Sequence, residues 1–268
     1  MEMEQQELSA LFPQIALQLR YALSNLYMAA SSLAPARARE EDSALDERAA
    51  MLDQSFYQML RLVNQLSASV YLTNSDPLPL YNRDIGELVE ELCDKAASLA
   101  VFRGVHFHFE NLLGHHVCAV APDAMEQMVY NLLSNAFKCT PAGGSVTVEL
   151  SMAGKNIRLQ VADTGCGIPA EQMDTLFETY LHPAPMSRPY GMGLGLALCK
   201  RFALGQGGML TARSTPGEGS VFTLVLPDRQ AAEPLHDFPV DYSGGFNRAL
   251  LGLADALPAK AFRVREQS

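Results

Sequence analysis

Asn131 and Asn135 stand four positions apart in QMVYNLLSNAFKCT, with Lys138 one turn further on, inside a stretch whose other residues pattern as an apolar-faced helix. Asparagine amides compete with the helix backbone for hydrogen bonds, so a pair of them needs a reason beyond propensity. At helical spacing Gln127, Asn131, Asn135 and Lys138 share one stripe, while Met128, Leu132, Leu133 and Ala136 turn toward a core. Amide oxygens are hard ligands that suit Mg²⁺ through one or two direct contacts plus waters, and a lysine one turn on can meet phosphate oxygens. The stripe also reads as an ordinary solvated helix face. A second motif, IRLQVADTGCGIP (157–169), is a strand ending in Asp163, with Gly165 and Gly167 in a loop where backbone can approach a flat ligand. A carboxylate at a strand end can accept a hydrogen bond from an exocyclic amine; an ordinary turn is the alternative. In YGMGLGLALCK (190–200), Gly191, Gly193 and Gly195 open a helix whose free N–H groups and dipole favour phosphate. STPGEGSVFTLVLP (214–227) places Gly217 and Gly219 before a last strand, as a hairpin turn would.

The elements that must position these residues follow from periodicity. Apolar spacing through Leu8, Leu11, Ile15, Leu19, Ala22 and Leu26 predicts one long helix from Met3 to about Leu33. A polar connection with Pro35 follows, and Ser43 or Asp46 is the expected N-cap of a second helix running to about Thr73. The two make an antiparallel hairpin, residues 1–74. A lone hairpin leaves an apolar stripe uncovered, so pairing with a second copy into a four-helix bundle is expected. NSDPLPLYNRD marks a boundary. Residues 75–228 then read as a second domain: a helix from Ile85 to about Phe102, strand-like VHFHFEN and HVCAVA, and the asparagine helix, with Asp123 and Glu126 at capping-box spacing. Strands SVTVEL and IRLQVA, a helix from Gly193 to Ala203, and strands MLTAR and SVFTLVL complete it. The fold class is α+β with two domains, the second an α/β sandwich with helices on one face of a mixed sheet. Residues 229–268 form a tail whose FNRALLGLADAL segment has the apolar spacing of a docked helix.

Composition narrows the function. A net charge of -10 over 268 residues argues against a general nucleic-acid surface. The most apolar early stretch is interrupted by Gln14, Gln18, Arg20 and Asn25, which points to a cytoplasmic protein with no membrane role. Cys93, Cys118, Cys139, Cys166 and Cys199 are scattered without a CxxC pair, so reduced thiols are expected.

In order and spacing, the four motifs resemble the GHKL ATPase superfamily, and within it the catalytic domain of sensor histidine kinases, over residues 83–227. NLLSNAFKCT is similar to the N box, DTGCGIP to the G1 box, LFETY to the F box and YGMGLGLALCK to the G2 box. The resemblance implies a Bergerat-type ATP-binding fold with ATP and Mg²⁺ as cofactors. It implies that Asn135 coordinates Mg²⁺, Asn131 and Lys138 approach the phosphates, Asp163 holds the adenine amine beside Gly165 and Gly167, and Gly191, Gly193 and Gly195 line a lid carrying Arg188. Tyr190 and Met192 depart from the family's usual glycine and threonine, and the lid is short.

The preceding hairpin lacks the family's phosphoryl acceptor. LQLRYAL (17–23) places Leu17 where the histidine stands, Gln18 where the acid stands and Ala22 where the proline stands, and the first histidine of the chain is His106. Attack on a γ-phosphoryl needs a ring nitrogen and a carboxylate to orient it, which leucine and glutamine cannot supply. No catalytic residue is assigned. The expected function is therefore an ATP-binding, histidine-kinase-like signalling homodimer acting on a response regulator or another signalling protein. The alternatives are a serine kinase of the anti-sigma-factor type and a nucleotide-free scaffold.

Overall fold

The computed structural model describes residues 2–68, 78–178, 193–231 and 245–264, with side chains from residue 14 onward. Helices α1 (Glu2–Leu33) and α3 (Ser43–Ala68) form the antiparallel hairpin, tied across by Arg20 Nη2 donating to Asn64 Oδ1 at 2.6 Å. The expected extension of the second helix to Thr73 lies outside the described residues. Its N-cap is Asp42, not Ser43 or Asp46: the Asp42 carboxylate accepts from the backbone N–H groups of Ala44 and Leu45. The connection is also more than a polar link. It contains a short helix, α2 (Ala36–Glu41), that buries Arg39 against Asp46 and Asp53 at 2.9 and 2.7 Å.

Where the sequence suggested only a boundary, Tyr81–Asp84 forms strand β1 and pairs antiparallel with β3 (Val117–Val120). YNRD is short and polar, so its strand character comes from its partner. Between them lie α4 (Ile85–Ala100), capped by Asp84, and β2 (His106–Asn111). Helix α5 (Pro122–Cys139) carries the two asparagines, followed by β4 (Ser145–Ala153) and β5 (Asn156–Asp163). The α5 N-cap is Ala121 with Pro122 at the first helical position, so the expected Asp123 cap is corrected: Asp123 sits inside the first turn, where its charge suits the helix dipole. A short α6 (Ala170–Met173), then α7 (Leu194–Gly205), β6 (Met209–Thr215), β7 (Gly219–Pro227) and α8 (Arg248–Leu253) complete the order.

The main sheet runs β2-β4-β5-β7-β6, parallel between β2 and β4 and antiparallel elsewhere. Strict alternation along β5 and β7 sends Ile157, Leu159, Val161, Phe222, Leu224 and Leu226 inward, with Met125, Met128, Leu132, Leu133 and Phe137 of α5 in the same buried core. His106 and His108 sit exposed on β2, as alternation with Phe107 and Phe109 requires. The tail docks, but not on the sheet domain alone. Leu250, Leu251 and Leu253 are buried where α8 crosses both α5 and α3, while Phe246 and Phe262 join Tyr27, Phe56 and Tyr57 of the hairpin in one aromatic cluster. Among the described residues no helix is long and apolar enough to cross a membrane.

Candidate functional site

The polar stripe of α5 lies between three structures: the loop after β5, the start of α7, and the α3–α8 seam. On the first side, Asp163 ends β5, is 7% exposed, and accepts from the backbone N–H of Gly165 at 2.8 Å. Burial pushes its carboxyl above the ordinary aspartate range, and the backbone N–H groups of Gly165 and Ser220 pull the other way. The loop is stitched to the end of α5 by Cys166 N–H donating to the Cys139 carbonyl at 3.3 Å. A Cβ on Gly165 would lie 2.7 Å from both Asp163 Oδ1 and that carbonyl, so only glycine lets the aspartate and the helix end approach this closely. Gly219, at φ 109, lies so close that its Cβ would overlap the Asp163 carbonyl. The glycine therefore serves the site's backbone as well as the turn.

On the second side, Gly193 caps α7 at φ 70, and a Cβ on Gly195 would stand 3.4 Å from Asn131 Oδ1. The third and second motifs thus flank the first. Asn135 is half-buried on the same stripe, and Cys139, one turn on, is exposed beside exposed Cys166. The Cys139 thiol is pushed up to about 11 by burial and by the Cys166 thiol next to it. Arg188 and Gly191 lie outside the described residues. Among the described residues no group of three or more His, Cys, Asp or Glu side chains could hold a metal ion.

The third side was not anticipated. Arg61 of α3 is buried and donates from Nη2 to Asn131 Oδ1 at 2.8 Å. Asp255, just past α8, places Oδ2 3.4 Å from Arg61 Nε and 3.3 Å from Lys138 Nζ. Burial lowers the Lys138 ammonium, the Asp255 carboxylate opposes that shift, and the Arg61 charge adds to it. Lys138 is therefore an internal cation with an internal counterion. Close packing holds the arrangement: Gly252 lies against Tyr130, where a Cβ would come within 2.6 Å of the side chain, and Gln54 and Gln58 of α3 donate to the carbonyls of Leu257 and Ala254. The space left between Arg61, Asn64, Gln127, Tyr130, Asn131 and Leu251 is about 40 Å³, room for water and not for a nucleotide. A wider hollow of about 570 Å³ lies over Thr147, Glu149, Arg158 and Gln160, on the outer sheet face away from the stripe. Arg61 and Asp255 each interrupt an apolar run, RLV and LADAL, and those lone charges were the available signal.

Residues 120–230 match the family described as histidine kinase-, DNA gyrase B-, and HSP90-like ATPase. Over 109 residues, 40% of this chain, the sequence is 37% identical to the adaptive-response sensory kinase SasA of Synechococcus sp. (strain JA-2-3B'a(2-13)), covering 29% of that protein. Over 78% of this chain it is 29% identical to the alginate biosynthesis sensor protein KinB of Pseudomonas aeruginosa, covering 35% of it. The chain thus spans well under half the length of these relatives. Full-length ShkA, solved in complex with AMPPNP, superposes with a TM-score of 0.62 at 25% identity, over 84% of this chain and 47% of that one. The Acinetobacter baumannii histidine kinase AdeS shares the fold at a TM-score of 0.53 and 18% identity, over 70% of this chain and 85% of that one.

Proposed function

Because residues 120–230 are a domain of the histidine kinase-, DNA gyrase B- and HSP90-like ATPase family, we propose that this chain is an ATP-binding signalling protein of the histidine-kinase type that does not phosphorylate itself on its hairpin. The observation that carries the reading is the convergence of Asp163, Asn131, Asn135 and the α7 glycines on one rim, held by the Cys166–Cys139 backbone bond and the Gly195–Asn131 approach. In this reading Asp163 accepts from the adenine amine, Gly165 and Gly167 let the base lie flat, and Asn131 and Lys138 face the phosphates. Gly193 and Gly195, with Gly191 and Arg188, serve the lid. The half-buried amide of Asn135 fits Mg²⁺, which takes few protein ligands and completes its shell with phosphate oxygens and water. When bound, the ion would neutralise charge on the triphosphate.

Leu17 is 49% exposed on α1, at the position where an acceptor imidazole would have to meet the nucleotide. Tyr21 and Met28 are exposed on the same stripe of α1, while Ile15, Leu19, Leu26 and Leu33 line a second exposed apolar stripe, which pairing with a second copy would cover. Output then passes through a bound response regulator or other signalling protein, in the cytoplasm. The anti-sigma-factor type of serine kinase is a weaker reading because it has no use for the hairpin. A nucleotide-free scaffold has one observation in its favour, the engagement of Asn131 and Lys138 by Arg61 and Asp255.

Thermal denaturation with and without Mg²⁺-ATP separates these readings. ATP binding predicts a higher melting temperature that Asp163→Asn abolishes; an unmoved wild-type midpoint at millimolar Mg²⁺-ATP selects the scaffold. Incubation with labelled ATP should leave no acid-labile phosphate on the chain.

A further inference from the structure

We propose that Arg61 and Lys138 form one anion site across the seam between the hairpin and the catalytic body, that Asp255 fills it in the closed state, and that nucleotide phosphates compete with this carboxylate for the same two cations. The inference rests on the ATP-binding reading above and adds an occupant and a regulator to it. Three independent contacts support it. The two cations come from elements far apart in sequence, yet both lie within 3.4 Å of a single oxygen, Asp255 Oδ2. That carboxylate is only 7% exposed, so it is held as a specific ligand and not as a surface pair. Arg61 also donates to Asn131 Oδ1, the amide that borders the α7 glycines, so the site joins the rim assigned to the phosphates.

The geometry is that of an internal anion standing where a ligand anion would. Guanidinium and ammonium groups converge on a carboxylate as they would on phosphate, and the segment delivering it is pinned at Gly252 against Tyr130 and at the Ala254 and Leu257 carbonyls by Gln58 and Gln54. Entry of a triphosphate requires Asp255 to leave, and departure of the 248–257 segment frees part of α3. ATP occupancy and the position of the hairpin are then coupled, which lets a protein without a phosphoryl acceptor report nucleotide binding through its helices. Because binding is open only to the fraction of molecules with the segment released, the apparent dissociation constant exceeds the intrinsic one by the inverse of that fraction.

The test is Mg²⁺-ATP affinity of the full chain, measured by titration calorimetry for wild type, Asp255→Asn and Asp163→Asn, with amide hydrogen exchange of residues 248–257 in the wild type. Asp255→Asn keeps the side-chain shape and removes the competing charge, and should tighten binding by about tenfold or more. Saturating Mg²⁺-ATP should speed exchange across 248–257 in the wild type, a readout that does not depend on the variant folding. ATP binding that is abolished by Asp163→Asn, unchanged in Asp255→Asn and accompanied by undisturbed exchange overturns the competition and leaves the ATP reading standing. Absence of binding in both wild type and Asp255→Asn overturns both.

Discussion

Lys138 Nζ lies 3.3 Å from Asp255 Oδ2, a contact between residues 117 apart in the chain, and Arg61 reaches the same oxygen from the hairpin. Three elements therefore share one buried carboxylate. Removing Asp255 strands the Arg61 and Lys138 charges in a buried seam, whereas removing Arg61 leaves Asp255 paired with Lys138. Asp255→Leu should cost about 3–5 kcal/mol, as breaking a buried pair does. Adding Arg61→Met to it should recover much of that loss, because the one charge then left is Lys138, whose side chain is 28% exposed. Chemical denaturation of the two single variants and the double variant forms the cycle, and additive losses would show that the charges do not interact.

Asp163 carries a stability cost that its proposed role in binding accounts for. Its carboxyl is raised by burial, so the folded protein holds that proton to higher pH than the unfolded chain does. The contribution to stability is complete below the unfolded value and is lost as pH rises through the folded one, so at neutral pH the ionised group is a net cost. Asp163→Asn keeps the acceptor for Gly165 N–H and removes the charge. The ligand-free melting temperature at pH 7 should rise while the Mg²⁺-ATP-induced shift disappears. A lower ligand-free midpoint would contradict this account.

Gly252 tests the fit of the tail. A methyl there meets the buried side chain of Tyr130 at 2.6 Å, so Gly252→Ala should cost about 1–3 kcal/mol. Limited proteolysis should then cut the 245–264 segment faster, leaving the sheet domain resistant.

The thiols divide by environment. Cys118 and Cys199 are buried and pushed up to about 12, Cys93 is buried and raised further, and Cys139 and Cys166 are exposed beside the rim. Iodoacetamide should label Cys139 and Cys166 in the native protein and reach the others only on unfolding. Labelling of Cys139 should accelerate about tenfold per pH unit below about 11, and Mg²⁺-ATP should slow it. Mass spectrometry of the labelled peptides reads both effects.

The hairpin face offers a separate measurement. Leu26 and Leu33 are 66% and 85% exposed, so charging them costs a single copy little. Leu26→Glu with Leu33→Glu should convert a dimer to a monomer in light scattering without moving the far-ultraviolet helix signal. An unchanged mass would exclude this face as the interface.

Much of this protein was legible in local pattern. Periods of two and 3.6 placed the hairpin, the α5 stripe and the strands, and the spacing of glycine, asparagine and aspartate named the rim, because each of those signals is written within one element. The caps at Asp42 and Ala121 and the strand at Tyr81–Asp84 were misread or missed, since several polar residues competed for one cap and a short polar strand has no period of its own. What the sequence by itself determined was which residues are the candidates for the chemistry. Only the tertiary structure decided that Arg61 and Asp255 would meet Lys138, because a lone charge in an apolar run states that it needs a partner without saying where in the chain the partner lies. The burial that makes the pairing strong arises only when α3, α5 and the tail close on one another.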